Sequence, residues 1–184
     1  MEVREAIEVR RAYRSLNPVP ITDELIRDLA ASASLSPSCF NYQPWRFVFI
    51  RDPTVLEELW PALSKTNKWI QRASMIVAVF SRKEDDCRVR GRDYHQFDAG
   101  MAVGFLMLRA TELGLVAHPI AGYREKRVRE TLGIPEEYQI ITLVIVGKRS
   151  DVLHEILSES QKESEKVRPP RLAFEEFAYI DRYG

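Results

Sequence analysis

The chain has 184 residues, 45% of them apolar and 29% charged, with 27 Lys plus Arg against 27 Asp plus Glu, which suits one globular domain. With neither sign in excess, no global field argues for nucleic acid or a membrane surface as partner, and no apolar run reaches the roughly 18 residues that cross a bilayer. Met1-Glu2-Val3-Arg4-Glu5 lacks an apolar signal core, so secretion is not expected.

Val3, Ile7 and Arg11 share one helical face, with Ala6 and Arg10 beside them. This predicts a helix over residues 2–14 whose end projects Arg10, Arg11 and Arg14 together. Asn17-Pro18-Val19-Pro20 breaks it. Thr22 is placed to cap a second helix, whose inward stripe is Leu25, Leu29 and Ala33. A polar loop follows over residues 34–44, stiffened by Pro37 and Pro44. It runs straight into the apolar strand Phe47-Val48-Phe49-Ile50. Asp52 and Pro53 read as cap and first position of a third helix. Residues 74–80 are continuous and β-branched, a central strand buried on both faces. Residues 82–92 form a charged loop.

Residues 93–113 read as a long helix closed by Gly114. It is so apolar from Met101 to Leu108 that it is expected to be covered all round, partly by a second subunit. Gly100 and Gly104 on it suit close helix packing. Residues 115–120 are extended, residues 125–132 form a brief helix before Gly133, and residues 140–147 are a buried strand. Residues 150–168 are polar and read as a mobile connection or a frayed helix. The tail, 169–184, regains Leu172, Phe174, Phe177, Tyr179, Ile180 and Tyr183, and is expected to dock on its own or a partner subunit. Helices and strands mix without a βαβ rhythm, so the expected class is α+β in one domain, 1–184.

Cys39 and Cys87 lie far apart and form no C-x-x-C pair. A cytoplasmic, reducing setting is therefore expected and a disulfide framework is not. His95, His118 and His154 lack metal-ligand spacing, so no metal site is expected. Any redox chemistry then calls for an organic cofactor. No G-x-G-x-x-G follows a strand and no Walker A sequence occurs, which disfavours Rossmann and P-loop nucleotide sites.

The most informative stretch is Ser36-Pro37-Ser38-Cys39-Phe40-Asn41-Tyr42-Gln43-Pro44-Trp45-Arg46-Phe47. The amides of Asn41 and Gln43 each offer donors and an acceptor, suited to the edge of a planar heterocycle. Taken singly, such amides also serve as turn residues, and three arginines in five residues also make a solvated helix face. The two motifs together, in this order and spacing, outweigh those readings.

Arg10-Arg11-Ala12-Tyr13-Arg14 followed by this loop resembles the nitroreductase family of FMN-dependent oxidoreductases. The family pattern is R-R-S-x-R, then P-S-x-x-N-x-Q-P-W-x-F, and the likeness covers residues 4–150 with a weaker match in the tail. The resemblance implies a mainly antiparallel central sheet flanked by helices. It also implies a homodimer, with a long buried helix and the FMN sites at its interface. Arg10, Arg11, Arg14 and, from the tail, Arg171 would hold the phosphate, with Ala12 where the family often has Ser. Ser38, Asn41 and Gln43 would read the flavin edge from the other subunit, and Asn67 would add a ring contact. Pro119-Ile120-Ala121-Gly122-Tyr123 maps onto the segment whose backbone N–H near Gly122 approaches flavin N5. Many relatives carry a glutamate where Ala121 stands.

No catalytic side chain is singled out. The implied activity is ping-pong hydride transfer from NADH or NADPH through flavin N5 to a small acceptor such as a nitroaromatic or quinone. The alternatives are a reductive dehalogenase or flavin-cleaving enzyme on the same fold, or a flavin-binding protein without turnover. Residues 82–92 are a candidate lid. Trp69, Tyr94 and Tyr123 are candidate walls of an aromatic pocket or ordinary core. Cys39, beside the loop, reads as a buried inert thiol.

Overall fold

Strand β3 (Met75–Ser81) is buried at every position, as its unbroken β-branched run requires; a computed structural model describes residues 1–184. β3 lies between β2 (Arg46–Ile50) and β7 (Gln139–Arg149), and β7 also pairs with β6 (Leu115–Ile120) and the short β1 (Leu16–Asn17). Every pairing in this sheet is antiparallel, as expected. Alternation along the strands feeds two cores. Ile76, Ala78, Phe80, Leu143 and Ile145 face Leu59, Trp69 and Val128. Met75, Val77, Val79, Val144 and Val146 face Leu29, Ala33 and Leu106.

The first face is covered by α3 (Pro53–Leu59), a 3-10 segment Lys65–Arg72 and α5 (Glu125–Leu132); the second by α2 (Asp23–Ser34) and α4 (His95–Glu112). The local signals hold. Thr22 accepts from the Leu25 N–H at 3.2 Å, and Asp52 from Thr54 at 2.8 Å. Gly133 ends α5 at φ 64°. No helix is long and apolar enough to cross a membrane.

Four expectations are corrected. The first helix, α1 (Val3–Val9), stops before the arginines. The Arg168 guanidinium donates to the Arg10 carbonyl at 2.9 Å, and the Glu165 carboxylate accepts the Arg14 N–H at 2.8 Å. These distant partners satisfy backbone groups that a longer helix would have paired.

Second, residues 150–168 are anchored. A capping box of Ser158 and Gln161 starts α6 (Glu159–Lys166), which supplies Glu165 to the arginine segment. Third, the tail, including α7 (Phe174–Phe177), is not covered by its own chain, with Ile180 77% and Tyr183 87% exposed, which narrows the expected docking to a partner subunit.

Fourth, Cys39 and Cys87 form a disulfide with their Cα atoms 5.9 Å apart. Sequence distance hid the pairing. Asp98 on α4 accepts the Cys39 N–H at 2.7 Å, and a hairpin of β4 (Arg88–Val89) and β5 (Arg92–Asp93) follows Cys87. The case for a reducing compartment drawn from unpaired cysteines thereby loses its premise.

α4 buries one stripe, including Ala99, Ala102, Val103, Leu106 and Ala110. Its other face is open within the chain, with Phe97 64% and Phe105 42% exposed. An added Cβ at Gly100 or Gly104 would meet nothing within 4 Å. Trp69, Tyr94 and Tyr123 do not wall one pocket. Trp69 is 1% exposed in the core, Tyr94 sits against Phe97, and the Tyr123 hydroxyl donates to the Ile140 carbonyl.

Candidate active site

Freed from the helix, the N-terminal segment spreads its arginines around a cavity of about 230 Å³, lined by Arg10, Arg11, Ala12, Arg14, Ser164, Arg168, Pro169 and Arg171. A second cavity of about 460 Å³ shares Arg10, Arg11 and Arg168 with it. Arg11 donates to the Ser164 carbonyl at 2.8 Å and Arg14 to the Ser164 hydroxyl at 3.1 Å. Tyr13 is sandwiched by Arg11 and Arg149, 4.7 and 4.4 Å from its ring centre. None of the five arginines on the smaller cavity pairs with a carboxylate side chain. Burial, together with the charges of Arg168 and Arg171, holds the Arg10 guanidinium below its ordinary pKa. A cluster of like charges without a counter-charge is a cradle for a dianion, and planar guanidinium forks suit phosphate oxygens best.

From the cradle a row of contacts leads across the floor. The His118 Nδ1–H donates to the Tyr13 carbonyl at 3.1 Å. The His118 ring stacks on Trp69 at 4.8 Å between centres. The Trp69 indole N–H donates to the Asn67 side-chain oxygen, and the Asn67 amide donates to the Gly122 carbonyl, each at 3.2 Å. Burial, with smaller contributions from the Arg14 and Arg10 charges and against the Tyr13 hydrogen bond, lowers the His118 pKa to about 4.

In the unfolded chain this imidazole titrates near 6.5. Between those values only the unfolded state takes the proton. The native state therefore keeps its full stability above pH 6.5 and loses up to about 3 kcal/mol as the pH falls to 4. His118→Asn is expected to flatten that part of a stability–pH curve from urea unfolding. An equal slope in the variant would place the acid sensitivity elsewhere.

Gly122 brings the backbone close to this row. A Cβ there would stand 2.8 Å from Asn67 Nδ2 and 2.9 Å from Ser64 Oγ. The Gly122 carbonyl is occupied by the Ser64 N–H and by Asn67, whereas its own N–H has no partner within the chain. A cavity of about 400 Å³ opens over Ala121, Gly122, Ser64 and Lys65. Gly122→Ala is expected to lose about 1–3 kcal/mol through overpacking, read as a lower urea midpoint. An unchanged midpoint would show that Asn67 and Ser64 yield freely. Ile120 is not brought to this site by its side chain, which packs in the core while its carbonyl accepts from Thr142.

The amide loop lies elsewhere. Ser38 Oγ accepts the Gln43 N–H at 2.9 Å, and the Gln43 amide donates to the Asn41 carbonyl at 3.2 Å. Phe40, Asn41 and Gln43 hold φ of 47°, 59° and 52°. Non-glycine residues enter this left-handed region at a cost, typically where a functional group must be presented. Arg46, just after the loop, pairs with Phe80, which pairs with Ile140. Leu16, just after the arginines, pairs with Arg149. The two motifs thus flank opposite ends of β7, roughly 30 Å apart along a strand, and no small ligand meets both in one chain.

Sequence reasoning missed His118, Glu165 and Arg168 as neighbours of this site, and named Trp69 only as a candidate pocket wall or core residue. Only Arg168 carried a signal, standing three residues before Arg171 in a Pro-Pro-spaced pair.

The chain is similar to known proteins over most of its length. The nitroreductase family model matches residues 7–74 and 64–148. A protein of Archaeoglobus fulgidus, provisionally named an NADH dehydrogenase/NAD(P)H nitroreductase, is 30% identical over 156 residues, covering 82% of this chain and 87% of its own. The iodotyrosine deiodinase of Haliscomenobacter hydrossis is 26% identical, covering 79% and 78%. A solved structure described as an oxidoreductase containing FMN superposes with a TM-score of 0.82 at 28% identity, covering 100% of this chain and 94% of that one.

Proposed function

Because the chain belongs to the nitroreductase family, we propose that it is an NAD(P)H-dependent FMN oxidoreductase acting on a small acceptor. The carrying observation is the arginine cradle without a carboxylate partner, joined through Tyr13, His118, Trp69 and Asn67 by a row of side-chain contacts to Gly122. When bound, FMN supplies the redox chemistry, accepting a hydride from NADH or NADPH and returning it to an acceptor such as a nitroaromatic or quinone in a ping-pong cycle.

The chain's own residues bind and orient. Arg10, Arg14, Arg168 and Arg171 neutralise the phosphate, with Arg11 bracing the segment through Ser164 and Tyr13. Asn67 is held by Trp69 at the ring, and the unpartnered Gly122 N–H is the donor offered to the flavin edge near N5. Ala121 leaves that position without a carboxylate, so proton delivery falls to solvent or the acceptor.

Ser38, Asn41 and Gln43 complete the site from a second copy. Their separation from the arginines within one chain supports this, as does the open apolar face of α4 with Phe97, Met101, Phe105 and Leu108. A homodimer joined there covers that face, and the exposed tail aromatics are further surface for the partner. A nicotinamide reductant supports a cytoplasmic location.

The test is the visible spectrum of freshly purified protein, chromatography of the released chromophore, and anaerobic addition of NADH or NADPH. One FMN per chain that bleaches and is reoxidised by a nitroaromatic or quinone is the expected outcome. Colourless protein that refuses added FMN would refute it. Bleaching without reoxidation would leave a flavin-binding protein. The deiodinase relative and the folded β4–β5 hairpin, in place of a bare loop, favour one second reading, reductive dehalogenation. Halide release from an iodinated phenol by the reduced protein decides it.

A further inference from the structure

The Cys39–Cys87 disulfide has no part in the flavin site as described, yet it anchors one half of it. Cys39 opens the turn that carries Asn41 and Gln43, and that turn holds three residues at positive φ. Such a conformation persists only when its surroundings over-determine it. Two anchors reach Cys39 from outside the turn: the Asp98 carboxylate on its N–H, and the bond to Cys87. Breaking the second leaves the turn held by the first and by its internal bonds.

The surroundings suit exchange. Cys39 is half-buried and Cys87 is buried, so an incoming thiol meets the Cys39 sulfur first. A carboxylate oxygen of Asp86 and both sulfurs lie within 4.8 Å of one another. One Asp86 oxygen accepts the Cys87 N–H at 2.7 Å, and the other is buried without a partner. Burial and the Asp98 charge raise the Asp86 carboxyl above its ordinary range, against the Cys87 hydrogen bond and the nearby His95.

We propose, resting on the FMN reading above, that Cys39–Cys87 is a reversible thiol–disulfide site for a dithiol reductant, and that its oxidation state sets how tightly the amide loop holds the flavin. A thiolate of the reductant attacks Cys39 Sγ and the S–S bond breaks. Cys87 leaves with the electron pair and takes a proton from water. The second thiol then loses its proton to water and attacks the mixed disulfide, and Cys39 departs and is protonated. One protein disulfide and one dithiol become one protein dithiol and one disulfide, and two electrons enter the protein.

The experiment uses the full-length FMN-loaded protein in anaerobic buffers of reduced and oxidised dithiothreitol. Protein thiols are counted, and flavin affinity is followed by fluorescence. Native protein is expected to pass from no thiols to two, with FMN bound about ten-fold more weakly in the reduced form. The Cys39→Ser/Cys87→Ser variant should bind like the reduced form in every buffer. A disulfide that resists excess dithiothreitol until the protein is unfolded overturns the proposal, as does equal FMN affinity in the two states. Failure of the oxidised protein to bind FMN at all refutes the function proposed above, whereas equal binding in both states overturns only this one.

Discussion

Replacing Arg10 and Arg14 together by alanine releases FMN from a chain that stays folded. Each guanidinium lines the smaller cavity and lacks a carboxylate partner. Hydrogen bonds to charged groups are worth about 1.5–3 kcal/mol each. Losing two such donors should weaken FMN binding by roughly 10² to 10⁴-fold.

The fold should tolerate the change. The backbone of the segment is held by Glu165 and Arg168, not by these two side chains. Removing positive charge from the crowded cluster also relieves the repulsion that Arg10 feels from Arg168 and Arg171. Equilibrium dialysis with FMN, alongside a thermal melt, reads both halves. Undiminished affinity would remove the phosphate assignment, and collapse of the melt would make the arginines structural.

Cys39→Ser with Cys87→Ser should lower the unfolding free energy by about 4 kcal/mol against the oxidised protein. The bridge closes a sequence separation of 48 residues, and the loop-closure entropy it removes from the unfolded chain grows with the logarithm of that length. For a chain of this size the melting temperature should fall by roughly 8–16 °C. The shift belongs mainly to the unfolded state, so the native fold persists and flavin binding can be compared in both forms. Urea titration of the oxidised protein, the reduced protein and the double variant measures the effect. The last two should coincide. A difference below about 1 kcal/mol would mean that the unfolded loop is already constrained.

The strands and most helix limits could be read from local patterns, while the antiparallel sheet was implied by the family resemblance. The continuous apolar runs around Val77 and Val144, the Thr22 and Asp52 caps and the Gly133 stop each depend on a few neighbouring residues. The same holds for the chemistry of the two motifs, since a cluster of arginines and a loop of amides keep their character in any surroundings. Residues 2–14 show where that reasoning stops. Their helical periodicity is genuine, but Glu165 and Arg168, more than 150 positions away, take the backbone groups of Arg14 and Arg10.

The local sequence therefore settled the elements, the α+β class and the residue types of an arginine cluster and an amide loop, because propensity, capping and side-chain chemistry are short-range. Long-range packing alone settled three further things. It joined Cys39 to Cys87, it linked Arg11 through Tyr13, His118, Trp69 and Asn67 to Gly122, and it parted the two motifs to opposite ends of β7. Each of these depends on which distant surfaces meet once the two faces of the sheet are buried, and no window of neighbouring residues carries that information.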